Sequence, residues 1–329
     1  MSTANVVPET HGLDSDDARR TLARAGRWEV TKSSAARFRW ADGFSHSRAL
    51  AFQIVLTIVP GVIVAVGLAA TTHSSALNDA IVRAINSLAP GPAGDVFRDA
   101  AGHGAATANN PSGWKPLMIG SVVMMFSAAT TFGQIERGAN RIYGVEKDRP
   151  SVQKYGLASL MALSAGMLFS ATFVLVAIGR DIGQSFDSSA WSNTFAALRW
   201  PVGAILLIIA YGMVFKLSPR RHQPTLSWLA VGAALSVVLT LAVSAALSFY
   251  LNLSSNFGDT YGPLAGFMGL MLWAYLTSIA LFLGLAFAAQ LEAIRAGEAA
   301  PQSTEKVEDT EPESTQDDVP VPSVASGRT

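Results

Sequence analysis

Six long apolar runs alternate with short polar blocks along the 329 residues. The runs cover residues 49–70, 117–135, 155–179, 200–217, 226–253 and 264–294. About 20 apolar residues in a helix cross the roughly 30 Å hydrocarbon core of a bilayer. Lipid offers backbone N–H and C=O groups no partner, so each run must satisfy its own as a helix. The runs are continuous and lack the alternation of a transmembrane β-barrel. The pattern therefore predicts an all-α integral membrane protein, a bundle of about six transmembrane helices. The run at 200–217 is short for a span. The run at 264–294 is long enough to tilt or to extend past the membrane.

The polar blocks fill in the rest. Residues 1–35 form a cytoplasmic, partly disordered segment, with 1–20 rich in polar residues. Residues 36–295 form the transmembrane domain, and 296–329 a disordered tail, acidic as far as Asp318. The first inter-span loop, 71–116, is long. Within it Leu77, Ile81, Ile85 and Leu88 recur at i, i+4, i+8 and i+11, the stripe of an amphipathic helix lying against the outer membrane face or the bundle top. Pro90–Gly91–Pro92 ends that helix, and a second short one is expected over 93–104.

Composition sharpens the class. Half of the residues are apolar and 15% are charged, where soluble domains carry about a quarter. Net charge is zero, so no global field draws the chain to nucleic acid. The first 48 residues hold no apolar signal core, so the first span is expected to insert as an uncleaved anchor. Placing Lys and Arg on this topology puts nineteen of the 24 on one side and five on the other. The positive-inside rule makes the nineteen-rich side cytoplasmic, with both termini there.

Candidate chemistry is sparse. There is no cysteine, and the five histidines form no pair at i, i+4 and no metal motif. No P-loop and no nucleophile elbow is present. The reading is of a non-enzyme with no cofactor, no metal and no catalytic residue. The best polar group closes the second span. There Gln134, Arg137 and Arg141 share one helix face, and Glu136 and Asn140 a neighbouring one. Two readings stand side by side: a polar cavity or headgroup contact, or a helix end whose arginines reach lipid phosphate. Gln53 lies inside the first span and Pro60 interrupts it, marking either a broken helix that lines a site or a packed kink. Arg48, at the inner mouth, faces either Glu136 or phosphate. On the outer side, Arg180 and Asp259 are candidates for a pair across the mouth, with Tyr261 beside them, or else for a solvated turn with an interfacial tyrosine.

Four places resemble one family of bacterial inner-membrane proteins, YihY/BrkB, and within it the YhjD-like branch. They are the helix-one run with Ala51, Phe52, Thr57 and Pro60; the segment with Asn140, Tyr143, Gly144, Val145 and Arg149; the segment with Tyr261, Gly262, Leu264, Ala265, Trp273 and Tyr275; and the region of Gly284. The likeness covers about 35–295. Two positions depart from the family pattern. Gln53 stands where the family often has Tyr, and Ala286 where it often has an acid, a role then absent or moved to Gln290 or Glu292. The resemblance implies a multi-pass cytoplasmic-membrane protein. Some members carry a ribonuclease BN label regarded as a misassignment, others are tied to serum resistance and virulence, and the YhjD-like branch to lipid export. The expected function is moving or assisting export of a lipid or envelope precursor. The alternative is a non-transporting envelope scaffold. Membrane lipids and envelope-assembly proteins are the expected partners, and nucleic acid is not.

Overall fold

Asp14 begins the first helix. Its carboxylate accepts from the backbone N–H groups of Asp16 at 2.9 Å and Asp17 at 3.0 Å, the bonds of an N-cap. Helix α1 (Ser15–Ala25) ends at Gly26, whose φ of 82° suits glycine, and α2 (Arg27–Trp40) follows at once. The computed structural model describes residues 3–71, 114–184, 189–253, 263–298 and 300–301. The expected helices at 77–88 and 93–104, and the tail beyond 301, lie outside these residues.

Six longer helices follow: α3 (Gly43–Thr71), α4 (Trp114–Tyr143), α5 (Ser151–Gln184), α6 (Ser189–Leu217), α7 (Leu226–Leu253) and α8 (Pro263–Ala296). All six are long and apolar enough to cross a membrane. They run alternately up and down. Each packs on its neighbour in chain order, and α8 closes the ring on α3 while also touching α4. Pro60 does not break α3, which is continuous to Thr71.

The helices outrun the apolar stretches that announced them. Helix α4 continues past 135 to Tyr143, and α6 begins well before 200. A span reading stops where charges start. The helix goes on, because its backbone bonds do not depend on which side chains it carries.

Exposed apolar side chains belt the bundle, among them Ile119, Phe126, Met167, Ile205, Val238 and Phe249. Only α8 is largely enclosed: 61% of its apolar window is buried, against 22–33% in the other five. Helices α7 and α8 meet through small residues. A Cβ on Gly284 would run into Ser236 and the Gly232 carbonyl, so glycine is required for this approach. The Ser236 hydroxyl donates to the Ala280 carbonyl of α8 at 3.1 Å.

The tightest packing sits at one end of the bundle, here called the basal end. The largest fully buried side chains include Trp228, Arg37, Tyr143, Phe38, Phe215 and Phe282. Residues 3–13 cross this end as a strap, contrary to the disorder expected of 1–20. Ala4 donates to the Arg141 carbonyl at 3.3 Å and Val7 to that of Tyr143 at 3.2 Å. Ala4 and Val7 are buried, as is Leu13. The polar composition of the strap looks like disorder because its bonding partners lie on other elements, from Arg37 of α2 to Glu292 of α8.

Candidate functional site

The last two turns of α4 set up the basal site. Glu136, Asn140 and Tyr143 fall at i, i+4 and i+7, and all three are buried. Arg137 lies on the neighbouring face with its side chain 54% exposed. Gly144, at φ 78°, then turns the chain where a Cβ would strike the backbone of Val6 in the strap. The following loop folds back, and Val145 donates to the Asn140 carbonyl at 2.8 Å.

Asn140 joins three segments. Its amide donates to Asp148 Oδ1 at 2.8 Å, and its oxygen accepts from the backbone N–H of Arg220 at 2.8 Å. Asp148 also receives Lys154 Nζ at 3.1 Å and, more distantly, Arg137 Nε at 3.8 Å. Burial opposes ionisation of Asp148, but the Asn140 amide and the Lys154 ammonium outweigh it and hold the carboxyl below its ordinary value. Glu136 faces Arg149, which binds it by its backbone N–H at 3.3 Å and its guanidinium at 3.5 Å. The same guanidinium donates to the carbonyls of Ser218 at 2.7 Å and Pro219 at 2.8 Å. Arg220 Nη1 reaches the Asp148 carbonyl, and Arg141 Nη1 that of Glu146, both at 2.9 Å. Loop 144–150 and loop 218–225 are thus locked onto α4.

A second network lies under the strap. Arg37 of α2 is fully buried and donates to Gln290 Oε1 at 2.8 Å, to the carbonyls of Asn5 and Ile142, and to Asn5 Oδ1. Burial holds this guanidinium down to about 10. Buried Glu292 accepts from Arg221 at 2.7 Å and from the Thr10 hydroxyl at 2.7 Å. Arg221 also stacks on the Tyr143 ring, 4.7 Å from its centroid.

The other sequence candidates resolve individually. Arg48 is exposed and donates to Ser45 Oγ at 2.9 Å; Glu136 is taken by Arg149. Gln53 accepts from Thr130 Oγ1 at 3.0 Å, while Thr57 and Thr131 meet at 2.9 Å, so this polar group ties α3 to α4 within the membrane. Gln134 Nε2 stands 3.4 Å from His46 Nδ1. Backbone of α5 runs through Arg180, whose side chain is outside the described residues, as are Asp259 and Tyr261. Sequence reading missed Arg37, Asp148, Arg220 and the strap. Arg149 was noted only as part of a motif. Among the described residues, no three His, Asp or Glu converge as a metal would need.

A ring of six membrane-crossing helices with a tightly bonded, charge-rich basal end defines a polytopic helical membrane protein. The chain belongs to the BrkB family: the family model described as Virulence factor BrkB matches residues 34–309. It is 26% identical over 254 residues to the Putative ribonuclease-like protein YfkH of Bacillus subtilis, covering 76% of this chain and 90% of that one. It is also 26% identical over 261 residues to UPF0761 membrane proteins of Xanthomonas campestris pv. campestris and Xanthomonas axonopodis pv. citri. There the match covers 77% of this chain but 58% of the relative, so the chain spans little more than half the length of those proteins. No solved structure matches the chain.

Proposed function

We propose that this BrkB-family protein lies in the cytoplasmic membrane with its basal end inside, and recognises the anionic headgroup of a lipid or envelope precursor there, moving it or assisting its export. One observation carries the reading. Five basic side chains, Arg137, Arg141, Arg149, Lys154 and Arg220, gather about the two carboxylates Glu136 and Asp148. Glu146 at the rim leaves the group cationic. A cationic site at the end of a bundle belted with apolar side chains suits an amphiphile with a phosphate or carboxylate head. The nineteen-to-five distribution of Lys and Arg supports the orientation. Nothing in this reading asks the protein to catalyse a reaction, and the word ribonuclease in the Bacillus relative's name is said of that protein.

The test is reconstitution of the full chain in vesicles with fluorescent phosphatidylglycerol, phosphatidylethanolamine and phosphatidylcholine, followed by a membrane-impermeant quencher. Faster exposure of the anionic probe than in protein-free vesicles is expected, with Arg137→Glu plus Arg220→Glu reducing it. Rates equal to empty vesicles for every lipid would remove the transport reading and leave a scaffold.

A further inference from the structure

Helix α2 has an inverted pattern. It buries Arg37 and Ser34 beside Val30 and Phe38, and it exposes Trp28 at 78%. Trp28, Lys32, Ala35 and Arg39 fall at i, i+4, i+7 and i+11, and all four are exposed. They make one stripe on the side away from Arg37. Over residues 14–40 the exposed charges are six basic (Arg19, Arg20, Arg24, Arg27, Lys32, Arg39) against three acidic (Asp14, Asp16, Glu29).

The depth of this helix follows from its connection to α3. Only Ala41 and Asp42 separate Trp40 from Gly43, where the membrane-crossing stretch begins. The Phe38 and Phe44 rings meet edge to face at 4.9 Å across this turn. On α3, Phe44, Arg48, Phe52 and Leu56 recur every four residues and are all exposed. This stripe descends about 18 Å at 1.5 Å per residue, from the basal end into the apolar belt. Arg48 is the one charge on it, and an arginine so placed reaches for lipid phosphate. The C-terminal end of α2 therefore stands at the headgroup level.

We propose that the outer face of α2 is an interaction surface for the anionic bilayer, with Trp28 and Trp40 in the interface and Lys32 and Arg39 on acidic phospholipid headgroups. Tryptophan is amphipathic and settles at the membrane–water boundary, and Lys and Arg beside it meet the negative surface. The surface continues the apolar belt through Trp40 and Phe44. It is separate from the α4–α5 site, and its test does not depend on what that site binds.

The absence of cysteine makes the test direct. Ala35→Cys places one spin label in the middle of the stripe and leaves both tryptophans and both cations intact. Asp16→Cys on α1 serves as the aqueous control, and Met167→Cys, exposed on α5, as the lipid control. Collision rates with oxygen and with a water-soluble nickel chelate are measured for the full chain in nanodiscs of phosphatidylcholine, with and without phosphatidylglycerol. The label at 35 is expected between the two controls, moving toward the lipid control when phosphatidylglycerol is present. Lys32→Glu plus Arg39→Glu in the Ala35→Cys background should abolish most of that shift. A label as nickel-accessible as Asp16→Cys in both discs would overturn the proposal.

Discussion

Asn140 joins the basal loops without a charge of its own, because one neutral amide holds Asp148 on one loop and the Arg220 backbone on another. Replacing it with Leu strands a part-buried donor and an ion-paired acceptor at once. Asn140→Leu is expected to cost about 1–3 kcal/mol, read as a lowered midpoint of thermal unfolding in detergent. Asp148 adds a pH signature. Its folded carboxyl titrates below the ordinary value of 3.8, so its contribution is complete above that value and is lost as pH falls through the depressed one. The stability gap between wild type and Asp148→Asn should therefore be constant near neutrality and narrow below about pH 4. A gap that widened on acidification would contradict the assigned pairing. At this scale the sequence told half the story. Glu136 and Asn140 were legible on one face of a helix end, since period 3.6 is local. Their partners were not, because they sit on loops outside the helix period: Asp148 is 8 positions from Asn140, Arg149 is 13 from Glu136, and Arg220 reaches Asn140 across 80. Of the two partners open to Arg48 in the sequence, Glu136 is taken by Arg149.

At the scale of elements, α7 and α8 depend on a glycine contact, and α8 on being enclosed. Gly284→Val should separate the two helices, because the added atoms meet Ser236 and the Gly232 backbone. The expected loss is about 1–3 kcal/mol or more, as for other overpacked interfaces, with Gly284→Ala milder than Gly284→Val on the same melting curve. The strap gives a second test. Deleting residues 3–13 removes the Thr10 bonds to Glu292 and the Asn5 acceptors of Arg37, leaving buried charges with fewer partners. A lower midpoint and faster proteolysis at loop 218–225 are expected. An unchanged melting curve would mean that the strap rests on the bundle without stabilising it. The six spans were legible because lipid demands long continuous apolar runs, a signal that needs no partner. The strap was not, since its side chains carry no periodicity and its order comes from distant acceptors.

The whole molecule places its strength at one end. The mid-membrane contacts among the described helices include the Gln53–Thr130 and Thr57–Thr131 bonds, the glycine seam, the Phe169 and Tyr211 rings at 5.4 Å, and Trp273 Nε1 on Ser244 at 3.1 Å. The basal end by contrast holds two bonded networks, the strap, and the largest buried side chains. That division suits the proposed recognition of a headgroup on a firmly bonded frame. Photo-crosslinking tests this most directly. Full-length protein in nanodiscs is irradiated with an anionic phospholipid bearing a diazirine in its headgroup, and the labelled peptides are mapped. Label is expected on 137–154 and 218–221, where it is lost with Arg137→Glu plus Arg220→Glu, while label on the outer face of α2 persists in that variant. Label spread evenly over the rest of the chain, and indifferent to those two charges, would contradict it.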